Sequence, residues 1–102
     1  MISSLYGLDI ANVEDARNVI EETLRVKLAP HDSFYRGGPY YLYKAGDTEL
    51  IVQRNYDLID QAPAEDVDLP VLVFLDGADG AVELEERMRQ IPTAKLLRRS
   101  NR

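Results

Sequence analysis

The stretch that decides the fold is PVLVFLDGADGAVELEERMRQIPTAKLLR, residues 70–98. Val71 to Leu75 are five apolar residues in a row. A run of that length without alternation reads as a strand buried on both faces. Pro70 is tolerable there because a strand's first residue can do without an amide donor. Asp76 and Gly77 supply turn chemistry, and Asp79 is the expected cap of a helix from about Gly80 to Gln90. Ala81, Leu84, Met88 and Ile91 recur at helical spacing and define its inner stripe. Glu83 with Arg87, and Glu85 with Arg89, read as outward pairs four residues apart. Pro92 ends the helix, Thr93 to Arg98 form a last strand, and the final Ser-Asn-Arg is expected to fray. So short a strand–helix–strand predicts a tight βαβ crossover with parallel strands and right-handed connection.

Working outward, Tyr40–Lys44 and Thr48–Arg54 flank Ala45-Gly46-Asp47 and read as an antiparallel hairpin. Tyr41 and Tyr43 share one face, and Tyr40, Leu42 and Lys44 the other. Leu50, Val52 and Arg54 likewise oppose Glu49, Ile51 and Gln53, so both faces carry apolar groups, one to pack on helices and one half covered. Upstream, Asn12 to Lys27 is the clearest helix. Asn12 is a good cap, Val13, Ala16, Ile20 and Leu24 form a stripe, acids open it, bases close it, and Pro30 stops it. Residues 2–11 fit either a short strand or a loose turn. The sum is one α+β domain over residues 1–102. Its sheet is mixed, with four to five strands from the hairpin and the βαβ unit, and its two helices lie most simply on one face.

Composition narrows the function classes. A chain of 102 residues with 45% hydrophobic and 29% charged residues is long enough for one core. It has no cysteine, hence no thiolate metal site or cysteine nucleophile. The opening MISSLYGLDIANVEDA lacks a basic segment followed by an apolar run, and no apolar run approaches the roughly 18 residues of a membrane span. The expectation is a cytoplasmic protein. A net charge of −6 argues against nucleic acid and for a basic partner.

Charge is also unevenly spread. Between Arg54 and Arg87 there is no lysine or arginine, yet ten of the eighteen acids lie there. These acids could simply be solvated loop and helix residues. The alternative is a docking surface, and Asp57, Asp60, Glu65, Asp66 and Asp68 are its best candidates because they share one loop without local counter-charge. Tyr40 and Tyr56 are the candidate aromatic anchors, drawn from a segment with five of the six tyrosines. Tyrosine also favours strands for packing reasons alone.

Catalytic readings are weaker. Asp76 ends a buried strand, where α/β enzymes place reactive groups, but turn chemistry explains it as well. The segment from Asp76 does not fit a calcium loop, since its twelfth position is Arg87. His31 with Asp32 would be half a metal site at most, and His31 reads more simply as a loop histidine after a proline. Gly37 and Gly38 precede a strand and so do not form a phosphate loop. No catalytic residue, metal ligand or cofactor is assigned. The C-terminal Arg98 and Arg99 are expected to pair with the acidic block.

Taken in order, the amphipathic helix, YRGGPYY, ELIVQRNYD, the acidic loop, LPVLVFLDGAD, the second helix and LLRR resemble small acidic bacterial immunity proteins. Those belong to contact-dependent growth inhibition and related polymorphic toxin systems. The resemblance implies a protein that binds the toxic C-terminal domain of one effector, tightly and without chemistry. Many such toxins are basic nucleases, so an acidic inhibitor gains electrostatic steering. The alternatives are a small hydrolase-like enzyme using Asp76, and a structural or regulatory subunit self-associating through the hairpin. The oligomeric state and the order of the 57–68 loop stay open.

Overall fold

A computed structural model describes residues 1–101. Ile2–Leu8 form strand β1, Val13–Leu24 helix α1, Ala29–Ser33 β2, Gly38–Ala45 β3, Thr48–Arg54 β4, Val71–Gly77 β5, Asp79–Met88 α2 and Ala94–Asn101 β6. One turn of 3₁₀ helix, Phe34–Arg36, joins β2 to β3. The strands make a single sheet in the order β2-β3-β4-β5-β1-β6. Both helices pack on one of its faces, and the domain is α+β as expected.

The sheet has six strands and every neighbouring pair is antiparallel. The expected mixed sheet of four to five strands is corrected on this point. β5 and β6 do run in the same direction, but β1 is inserted between them and pairs antiparallel with both. Only two residues of β1, Ser3 and Ser4, are polar, and Ile2 and Leu5 to Leu8 are all buried, as suits a strand this deep in the sheet. The ambiguity of residues 2–11 thus resolves into the strand that splits the crossover. β2 was expected as loop. Ala-Pro-His-Asp-Ser has poor strand propensity and is almost wholly exposed, but β3 offers its edge and pairs with all five residues.

The helix-facing core is built from Ile2, Tyr6 and Leu8 of β1, Leu50 and Val52 of β4, and Val71, Val73 and Leu75 of β5. It meets Val13, Ala16, Ile20 and Leu24 of α1, and Ala81, Leu84, Met88 and Ile91 on or just past α2. Both inner stripes are those expected from helical spacing. Asn12 caps α1, its Oδ1 accepting from the Asp15 amide at 2.8 Å. The helix ends earlier than Lys27, because Arg25 takes a left-handed conformation (φ 57°) and its amide closes on the Glu21 carbonyl. Two other expectations, at α2 and at β6, are corrected. Asp79 is the first helical residue and does not cap; no side chain bonds the N-terminus. Ser100 and Asn101 belong to β6 and do not fray, while Arg102 lies outside the described residues.

Candidate partner-binding surface

The connection between β4 and β5 is held on the sheet face opposite the helices. Asn55 organises it. Its Nδ2 is 3.2 Å from the Glu65 carbonyl, 3.2 Å from that of Val67 and 3.0 Å from that of Leu69. Its Oδ1 accepts from the Glu65 amide at 2.8 Å. One side chain therefore ties both strands of the loop together. Leu69 then packs on Gly7 of β1, so closely that a methyl group added to Gly7 would lie 2.5 Å from Leu69 Cδ1. Glycine at position 7 admits the loop to the sheet. At the near end, Asp57 forms a local turn, its Oδ1 accepting from the amides of Ile59 (2.8 Å) and Asp60 (3.2 Å). The Asp57 amide donates to the Ala62 carbonyl at 2.8 Å, closing the turn.

These contacts sort the five candidate acids. Asp60, Asp66 and Asp68 are exposed. Asp57 is half-buried and spends a carboxylate oxygen on its own loop. Glu65 forms an ion pair with Arg98 of β6, the distant counter-charge expected from the C-terminal arginines. Hydrogen bonding and attraction to Glu65 push the Arg98 guanidinium upward from its ordinary value.

Tyr56 adjoins this surface. The Arg54 guanidinium lies 4.9 Å from its ring centre, and Arg54 Nε donates to the Gly37 carbonyl at 2.5 Å. Tyr40 is set apart. It lies on the same sheet face as the loop, but β4 and β5 separate it from the strand that Leu69 covers. Its ring stacks on His31 at 5.5 Å with 23° between planes. Tyr56 thus adjoins the acids only in the chain, next to Asp57, with its ring held against Arg54, and Tyr40 stands apart on β3. Between them, Arg36 reaches over the face, donating to Gln53 Oε1 at 3.0 Å with its guanidinium 5.5 Å from the Phe74 ring centre.

Three exposed apolar residues went unremarked or underweighted in the sequence. Ile59 is 63% exposed inside the acidic loop, and Phe34 and Tyr35 project from the 3₁₀ turn, Tyr35 being 86% exposed. The one signal for Ile59 is its place in Asp-Leu-Ile-Asp, an apolar pair between acids where no strand or helix period continues.

The second charged centre is internal. Glu85 was expected to point outward toward Arg89; it is buried instead. It accepts from Arg99 Nε at 2.9 Å and Nη2 at 3.2 Å, and from the Ser4 hydroxyl at 2.5 Å. Arg89 pairs with Glu86 in its place, while Glu83 and Arg87 do pair as expected. Burial pushes the Glu85 carboxyl up, but the hydrogen bonds from Arg99 and Ser4 and the charges of Arg99 and Arg89 outweigh it and hold it below the ordinary glutamate value. Burial, and then the Glu85 charge, raise the neighbouring Tyr6 hydroxyl. Arg98 and Arg99 thus both pair with the acidic block, Arg98 on one sheet face and Arg99 on the other.

Asp76 lines a cavity of about 330 Å³ with Met1, Ile2 and Ser3. In the sheet it stands opposite Ser3 on one side and Glu49 on the other. His31 sits on exposed β2, away from it. Among the described residues no group of three or more His, Cys, Asp and Glu side chains is placed to hold a metal ion, and no helix is long and apolar enough to cross a membrane.

No protein-family model matches the chain, and no curated protein matches it in sequence.

Proposed function

We propose that this is a non-catalytic binding protein, an immunity-type inhibitor that docks a basic toxin domain in the cytoplasm through its 57–68 loop. The observation that carries the reading is the Asn55 staple. A merely solvated acidic loop has no need of a fixed shape. This one is fastened at both ends while Asp60, Asp66 and Asp68 face water. Holding like charges together costs free energy that a basic partner would recover, and a loop already ordered loses less entropy on docking. Ile59, exposed within the loop, offers an apolar anchor, and Tyr56, its ring against Arg54, precedes the loop in the chain. The exposed acids would mainly set the rate of encounter, and Ile59 and Tyr56 the lifetime of the complex.

The test is a paired capture from lysate of the native host. The bait is the tagged protein or its Asp60→Lys, Asp66→Lys, Asp68→Lys triple variant, each washed at low and then high salt. A basic protein retained by the first bait through high salt and missing from the second is the expected result. Its toxicity in cells and rescue by co-expression would complete the case. Identical proteins on both baits, or nothing on either, would remove the loop from the account.

A further inference from the structure

The sheet leaves two edges without a neighbouring strand among the described residues, β2 and β6. The hairpin β3–β4 has none, because β2 and β5 flank it. β2 is five residues long, and Pro30 removes one of its amide donors. Such an edge is protected against strand addition. β6 is eight residues long and contains no proline.

Edges of this kind are usually guarded by charge, and Lys95, Arg98 and Arg99 could serve here. Two of the three are drawn away. Arg98 turns to Glu65 on the open face and Arg99 to buried Glu85 on the helix face. Their charges are neutralised within the chain, and the outer main-chain groups of β6 are left accessible except at its start, where the Ala94 amide donates to the Ile91 carbonyl at 3.1 Å.

We propose that β6 pairs with β6 of a second copy of this chain, antiparallel about a two-fold axis between Leu97 and Arg98, to give a continuous twelve-stranded sheet. The strand is complementary to itself in one register. With the axis there, Ala94 faces Asn101 of the other copy, Lys95 faces Ser100 and Leu96 faces Arg99, so all eight residues stand opposite a partner; at the two end pairs Ala94 offers its carbonyl, its amide being held by Ile91. The faces agree. Ala94, Leu96, Arg99 and Asn101 stand opposite Leu8, Tyr6, Ser4 and Ile2, all on the helix side, while Lys95 and Ser100 stand opposite Gly7 and Ser3 on the other. The irregularity at Leu97, where β6 carries one residue more than β1, falls at the axis and meets its own equivalent. No two basic side chains are opposite each other. Moving the axis to Arg98 sets Arg98 against itself, and a slip of two residues the other way sets Lys95 against Arg98. Leu96, 49% exposed in one copy, gains the aliphatic stem of the other copy's Arg99, already fixed by Glu85. An isologous pair of strands is the simplest closed solution for such an edge.

The dimer is distinguishable from an ionic complex. Each copy carries a net charge of −6, so the two repel at long range and association tightens as salt rises. The experiment is sedimentation equilibrium of the full chain from about 10 to 500 μM, the range in which small interfaces associate, at low and at high salt. The mass is expected to climb from one chain toward two, further at high salt. Leu96→Lys and Ser100→Lys each place a second base opposite Arg99 or Lys95 and are expected to hold the chain monomeric, with the melting temperature of the dilute native chain at every concentration. Val82→Lys, on the exposed side of α2, is the control and leaves the mass curve alone. Amide exchange in residues 94–101 should slow with concentration in the native chain only. A monomer at every concentration and both salts overturns the proposal. So does a dimer that survives both β6 substitutions.

Discussion

Replacing Asn55 by alanine removes the side chain that shapes the acidic loop, and the cost can be worked from its contacts. Nδ2 carries two hydrogens for three carbonyl oxygens at 3.0 to 3.2 Å, and Oδ1 adds one acceptor at 2.8 Å. That makes about three effective hydrogen bonds at roughly 1 kcal/mol each, so the loss comes to about 2–3 kcal/mol, less whatever water recovers at the partly buried carbonyls. For a domain whose total stability is typically about 5–15 kcal/mol this is a large fraction. Urea unfolding of the two proteins gives the number, and amide exchange of Glu65, whose N–H bonds Oδ1, locates it. Asn55→Asp sharpens the test, because it keeps the acceptor but turns a negative oxygen toward three carbonyls, and should cost at least as much as alanine. A loss under about 0.5 kcal/mol, with Glu65 exchange unchanged, would refute the claim that Asn55 holds the loop.

The other predictions follow from single contacts. Gly77 has φ 148° and an added methyl group would lie 2.9 Å from the Thr48 Cα, so Gly77→Ala should cost roughly 3 kcal/mol in urea unfolding. Arg25→Gly should stabilise by about 0.5–1 kcal/mol, since glycine occupies the left-handed end of α1 without penalty; a loss of melting temperature would count against that account. Glu85 has a folded carboxyl value below its unfolded one. Its contribution is therefore complete above the ordinary glutamate range, about pH 4.3, and disappears as pH falls through the folded value. Glu85→Gln should flatten the acid limb of the stability curve, and an unaltered limb would show that other carboxylates dominate it.

The local periods of this chain were legible, and its long-range pairing was not. The inner stripes of α1 and α2, the two faces of β3 and β4 and the burial of β5 all come from spacing between near neighbours. β1 and β6 pair across nearly the whole chain, Ile2 with Asn101. Nothing local in Ile-Ser-Ser-Leu-Tyr-Gly-Leu says that it will divide a βαβ crossover. Local chemistry also misassigned Glu85. Its spacing to Arg89 is that of a surface pair, but the Ser4 hydroxyl and Arg99 arrive from the sheet and provide a better site. In the candidate surface, the acids were visible as a charge block, while Asn55 was invisible because its three carbonyl partners lie 10 to 14 residues away.

The distribution of charge links these observations. The chain has an excess of six acids, and one chemical device could have been to scatter arginines among them. Instead both arginines of β6 are spent on acids that are structural, Glu65 at the base of the loop and Glu85 inside the domain. Glu65 is the residue whose amide and carbonyl both bond Asn55, so Arg98 braces the same point that the staple holds. Asp60, Asp66 and Asp68, farther along the loop, remain exposed to solvent. An exposed ion pair such as Arg98–Glu65 contributes at most about 1 kcal/mol to stability, so its greater consequence is positional. Arg98→Ala would remove that brace without touching any exposed acid or the Asn55 hydrogen bonds. If the shape of the loop matters to docking as well as its charge, this variant should lower the affinity for the captured partner mainly through faster dissociation. Measured by surface plasmon resonance, an effect confined to the association rate would mean that net charge alone governs binding, because removing a positive residue makes the protein more acidic and should speed encounter with a basic partner.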